Sequence, residues 1–331
     1  MSSFKNVLST IRRYQKFLVT THHNPDADAV SSALTMALFL KSLGKQVYVL
    51  NEDACPEWLK FLPGTSMFKK AINIKELNYD VAIVLDCGDL ERIGGVSKFI
   101  QEDKPLVNID HHVTNDSFGS VNVVHSKASS TCEMLFDFLK EAKHPLNRNL
   151  SILLYAGIMT DTGSFRYDNT SAHSHAVAEE LMNFKVSAAD MYRRLYVGIP
   201  VADMKLFTDL IHKAQLLDNN RIYCVSLSKA VKDSFSSSFD LNEKLFTFLR
   251  SVEGIEVVVI LTELNDKEIR INLRSQKDFD VAVLAQQFNG GGHKKAAGCK
   301  IYESLASAQK TICAAIHKKL RPAGNTNSRR V

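Results

Sequence analysis

The sequence predicts a two-domain α/β protein. A parallel sheet with flanking helices is expected over residues 1–190, a helical linker over 191–220, and a smaller α+β domain over 221–320. Three observations predict this. Short apolar strands alternate with helical patterns in the first half, as in βαβ units. The second half changes to strands joined by tight turns such as Asn265-Asp266-Lys267. The length of 331 residues is about twice that of an average domain. The polar end, 321–331, is expected to be a disordered tail.

The elements follow in order. Phe17–Thr21 is a β-rich run followed by a polar loop. Val30, Ala33, Leu34, Ala37 and Leu38 recur at helical spacing, and Gly44 stops that helix. Gln46–Leu50 is a second strand. Val81–Leu85 is apolar throughout, as a strand buried on both faces should be. Leu106–Ile109 is a further strand. Ser130-Thr131-Cys132-Glu133 opens a helix to about residue 142, and 150–160 is another. Residues 186–220 carry Pro200 and a helical pattern without strong strands. Beyond them, strands are expected at 221–227, 255–264, 268–273 and 298–302, and helices at 241–252, 280–288 and 304–319.

Composition narrows the class. A hydrophobic fraction of 45% with 23% charged residues describes a globular chain and excludes wholesale disorder. No apolar stretch approaches the roughly 20 residues that span a bilayer. The opening MSSFKNVLSTIRRYQK has no signal-peptide core. The six cysteines are scattered without a CxxC pair. They read as reduced thiols of a cytoplasmic protein, and exclude a disulfide framework and a thiolate zinc finger. Residues 1–210 carry 22 basic and 24 acidic side chains, and residues 211–331 carry 19 and 12. An acidic half suited to cations thus precedes a basic half suited to anions.

Polar residues collect where strands end. His22-His23-Asn24-Pro25-Asp26-Ala27-Asp28 follows the first strand, Asp86-Cys87-Gly88-Asp89 the run 81–85, and Asp110-His111-His112 the run 106–109. Asp161-Thr162-Gly163-Ser164 follows the helix 150–160. A single Asp after a strand is usually a cap or turn residue. Four such ends delivering Asp or His to one sheet edge, where α/β proteins build their sites, is a stronger signal. Carboxylate and imidazole without sulfur suit Mn²⁺, Mg²⁺, Fe²⁺ or Co²⁺, and the residues suffice for two ions. Paired ions about 3.5–4 Å apart acidify a shared water, as phosphate-ester hydrolysis requires.

The second signal is Gly290-Gly291-Gly292-His293-Lys294-Lys295-Ala296-Ala297-Gly298. Glycines let backbone N–H groups approach a phosphate, and a following helix N-terminus would add positive charge. A plain turn is the simpler reading. The GxxxxGK[ST] pattern of the phosphate-binding P-loop is absent. Arg270, Arg274 and Ser275 lie near the end of a predicted strand and could face the same loop.

These motifs occur in the order and spacing of the DHH phosphoesterase superfamily, which the chain resembles over about residues 10–320. The glycine run is similar to that of the DHH-associated C-terminal domain. The compact length most resembles the oligoribonuclease/PAP phosphatase group, where PAP is 3′-phosphoadenosine 5′-phosphate. By position, the resemblance implies that His22 and Asp26 hold one metal, that Asp28, His111 and Asp161 hold a second, and that Asp86 bridges them. Two divalent ions, foremost Mn²⁺, with Mg²⁺ or Co²⁺ as alternatives, are implied as cofactors. His112 would contact the phosphate or move a proton, and Asp110 would orient the histidines. Arg274, Ser275, Gly290, Gly291, Gly292 and His293 would bind substrate. His23 sits at a variable position, Asp89 is read as a supporting residue and Cys87 as packing.

The implied activity is hydrolysis of short RNA to mononucleotides, with PAP as a second substrate. The alternative is a cyclic-dinucleotide or linear pApA/pGpG phosphodiesterase built from the same residues. A non-catalytic nucleotide-binding module would need a broken ligand set, and all six ligands are present. No membrane association and no tight binding of long nucleic acid are expected; a homodimer stays open.

Overall fold

The computed structural model describes residues 4–320 except 75, 237, 238 and 240, so the expected tail at 321–331 lies outside the described residues. The chain divides into two units, Met1–Gly198 and Ile199–Val331.

The first unit opens with α1 (Lys5–Arg13), β1 (Lys16–Thr21), α2 (Ala27–Ser42), β2 (Gln46–Asn51) and β3 (Phe68–Lys70). It continues with β4 (Val81–Leu85), β5 (Leu106–Asp110), β6 (Val121–Val124), α3 (Thr131–Glu141), α4 (Arg148–Asp161), α5 (Ala172–Met182) and α6 (Ala188–Tyr196). The strands form one sheet in the order β3-β2-β1-β4-β5-β6, parallel throughout. Side-chain alternation assigns the two faces. Phe17, Val19, Val81, Ile83, Leu85, Val107 and Ile109 pack under α2, α3 and α4. Leu18, Ala82, Val84 and Leu106 pack on the other face, with Tyr79, Ile93, Val96 and Phe99. Every residue of β4 is therefore buried, each large side chain contributing about 1.5–3 kcal/mol.

The two faces are covered differently. The second carries no α-helix between β4 and β5; residues Leu90–Phe99 form 3-10 turns broken at Gly94, whose φ of 58° and ψ of −137° are non-helical. The Gly94-Gly95 pair supplies the freedom for that break and denies a long helix.

The second unit comprises α7 (Val201–Lys213), β7 (Gln215–Leu217), β8 (Ile222–Leu227), α8 (Lys229–Asp233), α9 (Leu241–Leu249), β9 (Val257–Asn265) and β10 (Glu268–Ser275). It ends with α10 (Val281–Gln286), β11 (Gly291–His293), β12 (Ala296–Ile301) and α11 (Leu305–Lys319). Its sheet runs β11-β12-β10-β9-β8-β7, with β8 and β9 parallel and the other pairs antiparallel. Ile269, Ile271 and Leu273 point to a core with Ile312 and Ile316 of α11. On the opposite face, Val258 and Ile260 pack with Phe207, Leu210 and Leu245. The segment expected as a linker, 191–220, holds the end of α6, α7 and β7. Of these, α7 contributes Phe207 and Leu210 to a core, and β7 pairs with β8.

Candidate metal centre

The strand order reverses between β1 and β4, and an open α/β sheet binds ligands beyond the strand ends at such a point. His22 follows β1 directly and Asp86 follows β4. Asp110 ends β5, with His111 and His112 after it. Asp26 is the N-cap of α2, its carboxylate accepting from the Ala29 amide at 3.0 Å. Asp28 lies in the first turn of the same helix. Asp161 is the last residue of α4. Asp86 itself has φ = 53°, a left-handed conformation that an L-residue holds only at a cost, and that recurs at functional sites.

Asp86 lies between two groups. One of its carboxylate oxygens lies 3.5 Å from His22 Nε2, and that nitrogen is 4.0 Å from Asp26. The other oxygen lies 3.5 Å from His111 Nε2, which is 3.2 Å from Asp161. Ligand atoms of His22, Asp26 and Asp86 converge within 4.8 Å, as do those of Asp28, Asp86 and His111. The structure thus brings together all six residues expected as ligands.

The hydrogen bonds orient the rings. His22 Nδ1 lies 2.9 Å from the His23 carbonyl, and His111 Nδ1 lies 3.3 Å from the Ala128 carbonyl. A carbonyl only accepts, so this network assigns the proton of each neutral ring to Nδ1. The Nε2 lone pairs then face carboxylate oxygens. Such an arrangement is repulsive until a cation sits between them, and this donor set fits a divalent ion. The charges agree. Burial, then the charges of Asp86 and Asp161, push the Asp28 carboxyl well above its ordinary value. Burial opposes ionisation of Asp86 too, but His22, His112 and His111 outweigh it and hold that carboxyl low. Burial disfavours the charged form of His111, yet Asp86, Asp28 and Asp110 raise its pKa. This is a site short of positive charge.

Asp28 is held by its surroundings. Its two oxygens accept from the backbone amides of Thr131 at 2.7 Å and Cys132 at 3.0 Å, at the start of α3. A Cβ on Gly157 would lie 2.5 Å from an Asp28 oxygen and 2.4 Å from Cys132 Sγ, so only glycine fits there. His112 Nδ1 meets Asp110 at 2.7 Å and lies 3.7 Å from Asp86. Asp110 is fully buried, and its second oxygen accepts from the Asn115 amide at 2.6 Å. Burial works against the charged forms of both partners. Their mutual contact overcomes it, lowering Asp110 and raising His112.

Other expectations are sorted by the same geometry. Both the His23 amide and its Nδ1 bond the Arg92 carbonyl, at 2.7 and 2.8 Å, which accounts for the ring. Asp89 caps the 3-10 turn. Cys87 is buried, and burial pushes its thiol up. Ser130 caps α3, while Thr131 donates its hydroxyl to Asp86 at 3.0 Å. Asn115 and Gly157 were not anticipated as site contacts, and no local pattern in the sequence pointed to them.

In the second unit the glycine run is a hairpin, so no helix follows it: Gly291, Gly292 and His293 of β11 pair with Gly298, Ala297 and Ala296 of β12. A Cβ on Gly290 would meet the Gly298 carbonyl at 2.2 Å, and Gly292 has φ = 139°. Arg274, Ala296 and His293 lie in one cross-strand row, beside the row Asn272, Gly298 and Gly291. Arg274 and His293 therefore share a sheet face beside Gly298 and Gly291, which carry no side chains. The Arg274 guanidinium sits 4.5 Å from the centre of the Phe246 ring. Ser275 does not join them. It is 5% exposed, and its hydroxyl donates to the Phe279 carbonyl at 2.6 Å, because adjacent strand residues face opposite ways.

A reversed-order parallel sheet that gathers four carboxylates and two imidazoles at its strand ends, joined to a mixed-sheet unit, defines a class of two-unit α/β proteins with a divalent-cation site. The chain belongs to the DHH family: residues 16–158 match the DHH family, N-terminal domain, and residues 240–319 match the DHHA1 domain. It is 28% identical over 311 residues to the bifunctional oligoribonuclease and PAP phosphatase NrnA of Thermus thermophilus, covering 92% of this chain and 90% of that one. The protein of the same name in Bacillus subtilis is 28% identical over 320 residues, covering 93% and 97%. A crystal structure of an exopolyphosphatase-related protein from Bacteroides fragilis superposes with a TM-score of 0.86 at 26% identity, covering 95% of each chain. Among the described residues no helix is long and apolar enough to cross a membrane.

Proposed function

We propose that the protein is a metal-dependent phosphodiesterase that hydrolyses short oligoribonucleotides to mononucleotides, with PAP as a second substrate. The observation that carries this reading is Asp86, one buried carboxylate facing His22 and Asp26 on one side and His111 on the other. His22, Asp26 and Asp86 would hold one divalent ion. Asp28, Asp86, His111 and Asp161 would hold a second. Mn²⁺ fits this oxygen and nitrogen set, with Mg²⁺ or Co²⁺ as alternatives. When bound, such ions supply Lewis-acid charge at the phosphoryl group and acidify water.

The remaining steps belong to side chains. Asp110 fixes the His112 ring through Nδ1, which leaves Nε2 to exchange a proton with the reacting phosphate or its leaving group. Arg274 offers a cationic contact and His293 an imidazole contact to a second phosphate or the nucleotide portion. The names of the Thermus and Bacillus relatives favour short RNA and PAP as substrates.

The test is hydrolysis with added Mn²⁺ of 5′-phosphorylated RNAs from two to twenty-four nucleotides, PAP, and cyclic di-AMP, in graded lengths and equal concentrations. Mononucleotide release fastest from the shortest RNAs is the expected result. Preference for cyclic di-AMP or pApA would replace the substrate class and keep the site. Absence of hydrolysis on every substrate would overturn the reading.

A further inference from the structure

We propose that Glu133 is a positioning residue: it locks residues 128–132 against four of the metal-ligand candidates and thereby sets the affinity of the Asp28–His111–Asp161 position. This rests on the metal reading above and names a residue outside its ligand set.

One short segment braces three ligand side chains and, through Asn169, the backbone of a fourth residue. The Ala128 carbonyl accepts from His111 Nδ1 at 3.3 Å. The Ser129 carbonyl accepts from the Asn169 amide at 2.9 Å, and the same amide reaches the Asp161 carbonyl at 3.1 Å. The Thr131 hydroxyl donates to Asp86 at 3.0 Å. The Thr131 and Cys132 amides donate to Asp28 at 2.7 and 3.0 Å. A shift of this segment would move both Asp28 oxygens and the support of His111 together.

Glu133 is what fastens the segment. It is 3% exposed. One carboxylate oxygen accepts from the Ser129 hydroxyl at 2.6 Å and the Ser174 hydroxyl at 2.7 Å, and the other accepts from the Ser129 amide at 3.3 Å. No lysine, arginine or histidine forms an ion pair with it among the described residues. Burying a carboxyl group is costly unless it is hydrogen-bonded, and Ser129 and Ser174 supply those bonds here. Helix capping does not require it. In a capping box Glu133 would reach back to the Ser130 amide; here it reaches past it to Ser129 and across to α5. Ser174 is in turn fixed by the capping box of α5, through Ser171. The carboxylate thus ties the start of α3 to the start of α5, and the segment between the ligands is held from both ends.

The experiment is calorimetric titration of Mn²⁺ into the chelator-stripped full chain, wild type and Glu133→Gln, with circular dichroism to confirm folding. Glutamine keeps the size but sets an N–H group among donors. One of the two Mn²⁺ equivalents is expected to lose about 10–100-fold in affinity while the other stays within about threefold, as for other residues that orient metal ligands. If Glu133→Gln does not fold, Ser174→Ala, which removes one donor remote from the ligands, is expected to shift the same equivalent in the same direction. Folded Glu133→Gln with both affinities unchanged, or with both lowered equally alongside the melting temperature, overturns the proposal. A wild-type chain that binds no Mn²⁺ contradicts the underlying metal reading instead.

Discussion

The two sheets put their polar residues to opposite uses. At the strand ends of the first unit, Asp28, Asp86, Asp110, His22 and His111 are all 5% exposed or less, and each is oriented by a backbone or side-chain partner. On the β10–β12–β11 face of the second unit, Arg274 and His293 stand only half-buried on regular strands beside glycines. The first arrangement tolerates little displacement, as a coordination site requires. The second offers charge and a bare surface, which suits a phosphate or sugar with some latitude. Substitutions should therefore act on metal content and turnover in the first unit, and on substrate affinity in the second.

The largest effect is expected at the shared carboxylate. Asp86→Ala should lower kcat by more than about a thousandfold and abolish binding of both ions, because water activation is lost with them; steady-state assays and metal analysis of the same preparation check this. Next is the buried dyad. Asp110→Asn should cost about 10²–10⁴ in kcat, the range for general acid–base groups, and leave Mn²⁺ stoichiometry at the wild-type value. Loss of metal in that variant would mean that Asp110 serves the ligands more than His112.

On the other side of the comparison, Arg274→Ala should raise KM by about 10–100-fold with kcat nearly constant, in line with one charged hydrogen bond of about 1.5–3 kcal/mol. An effect confined to kcat would break the division of labour. Gly157→Ala places a methyl against Asp28 and Cys132, for a stability loss of about 1–3 kcal/mol in denaturant titrations. Weaker Mn²⁺ binding should accompany it. The smallest effect is Ser275→Ala, about 0.5–1.5 kcal/mol of stability from a lost internal hydrogen bond, with KM unchanged, since its hydroxyl faces the Phe279 carbonyl.

The strands with continuous apolar runs, such as Val81–Leu85 and Val257–Leu261, were legible in the sequence, because burial on both faces leaves no polar gaps. So were the helices with strong caps, Ser130 and Ser304 among them. The polar cluster at the strand ends was legible because each motif directly follows an apolar run. Other parts were not. In α1 only Val7 and Ile11 are buried, too few to show a period. The strands β3 and β6 are three and four residues long, and each buries only one residue. The segment Leu90–Phe99, broken at Gly94, forms 3-10 turns that no apolar period announces. Ser275 lies on the face opposite Arg274, because side chains alternate along a strand. Gly157, Asn115 and the Glu133 lock depend on contacts between residues far apart in sequence, which local patterns do not encode.

The central claim is that one carboxylate serves two metal positions. Electron paramagnetic resonance of the full chain with stepwise Mn²⁺ tests it directly. Ions sharing Asp86 would lie about 3.5–4 Å apart. The six-line signal of isolated Mn²⁺ should then give way to a spin-coupled spectrum as the second equivalent binds. Two equivalents that both keep the isolated six-line signal, or saturation at a single ion, would contradict the account.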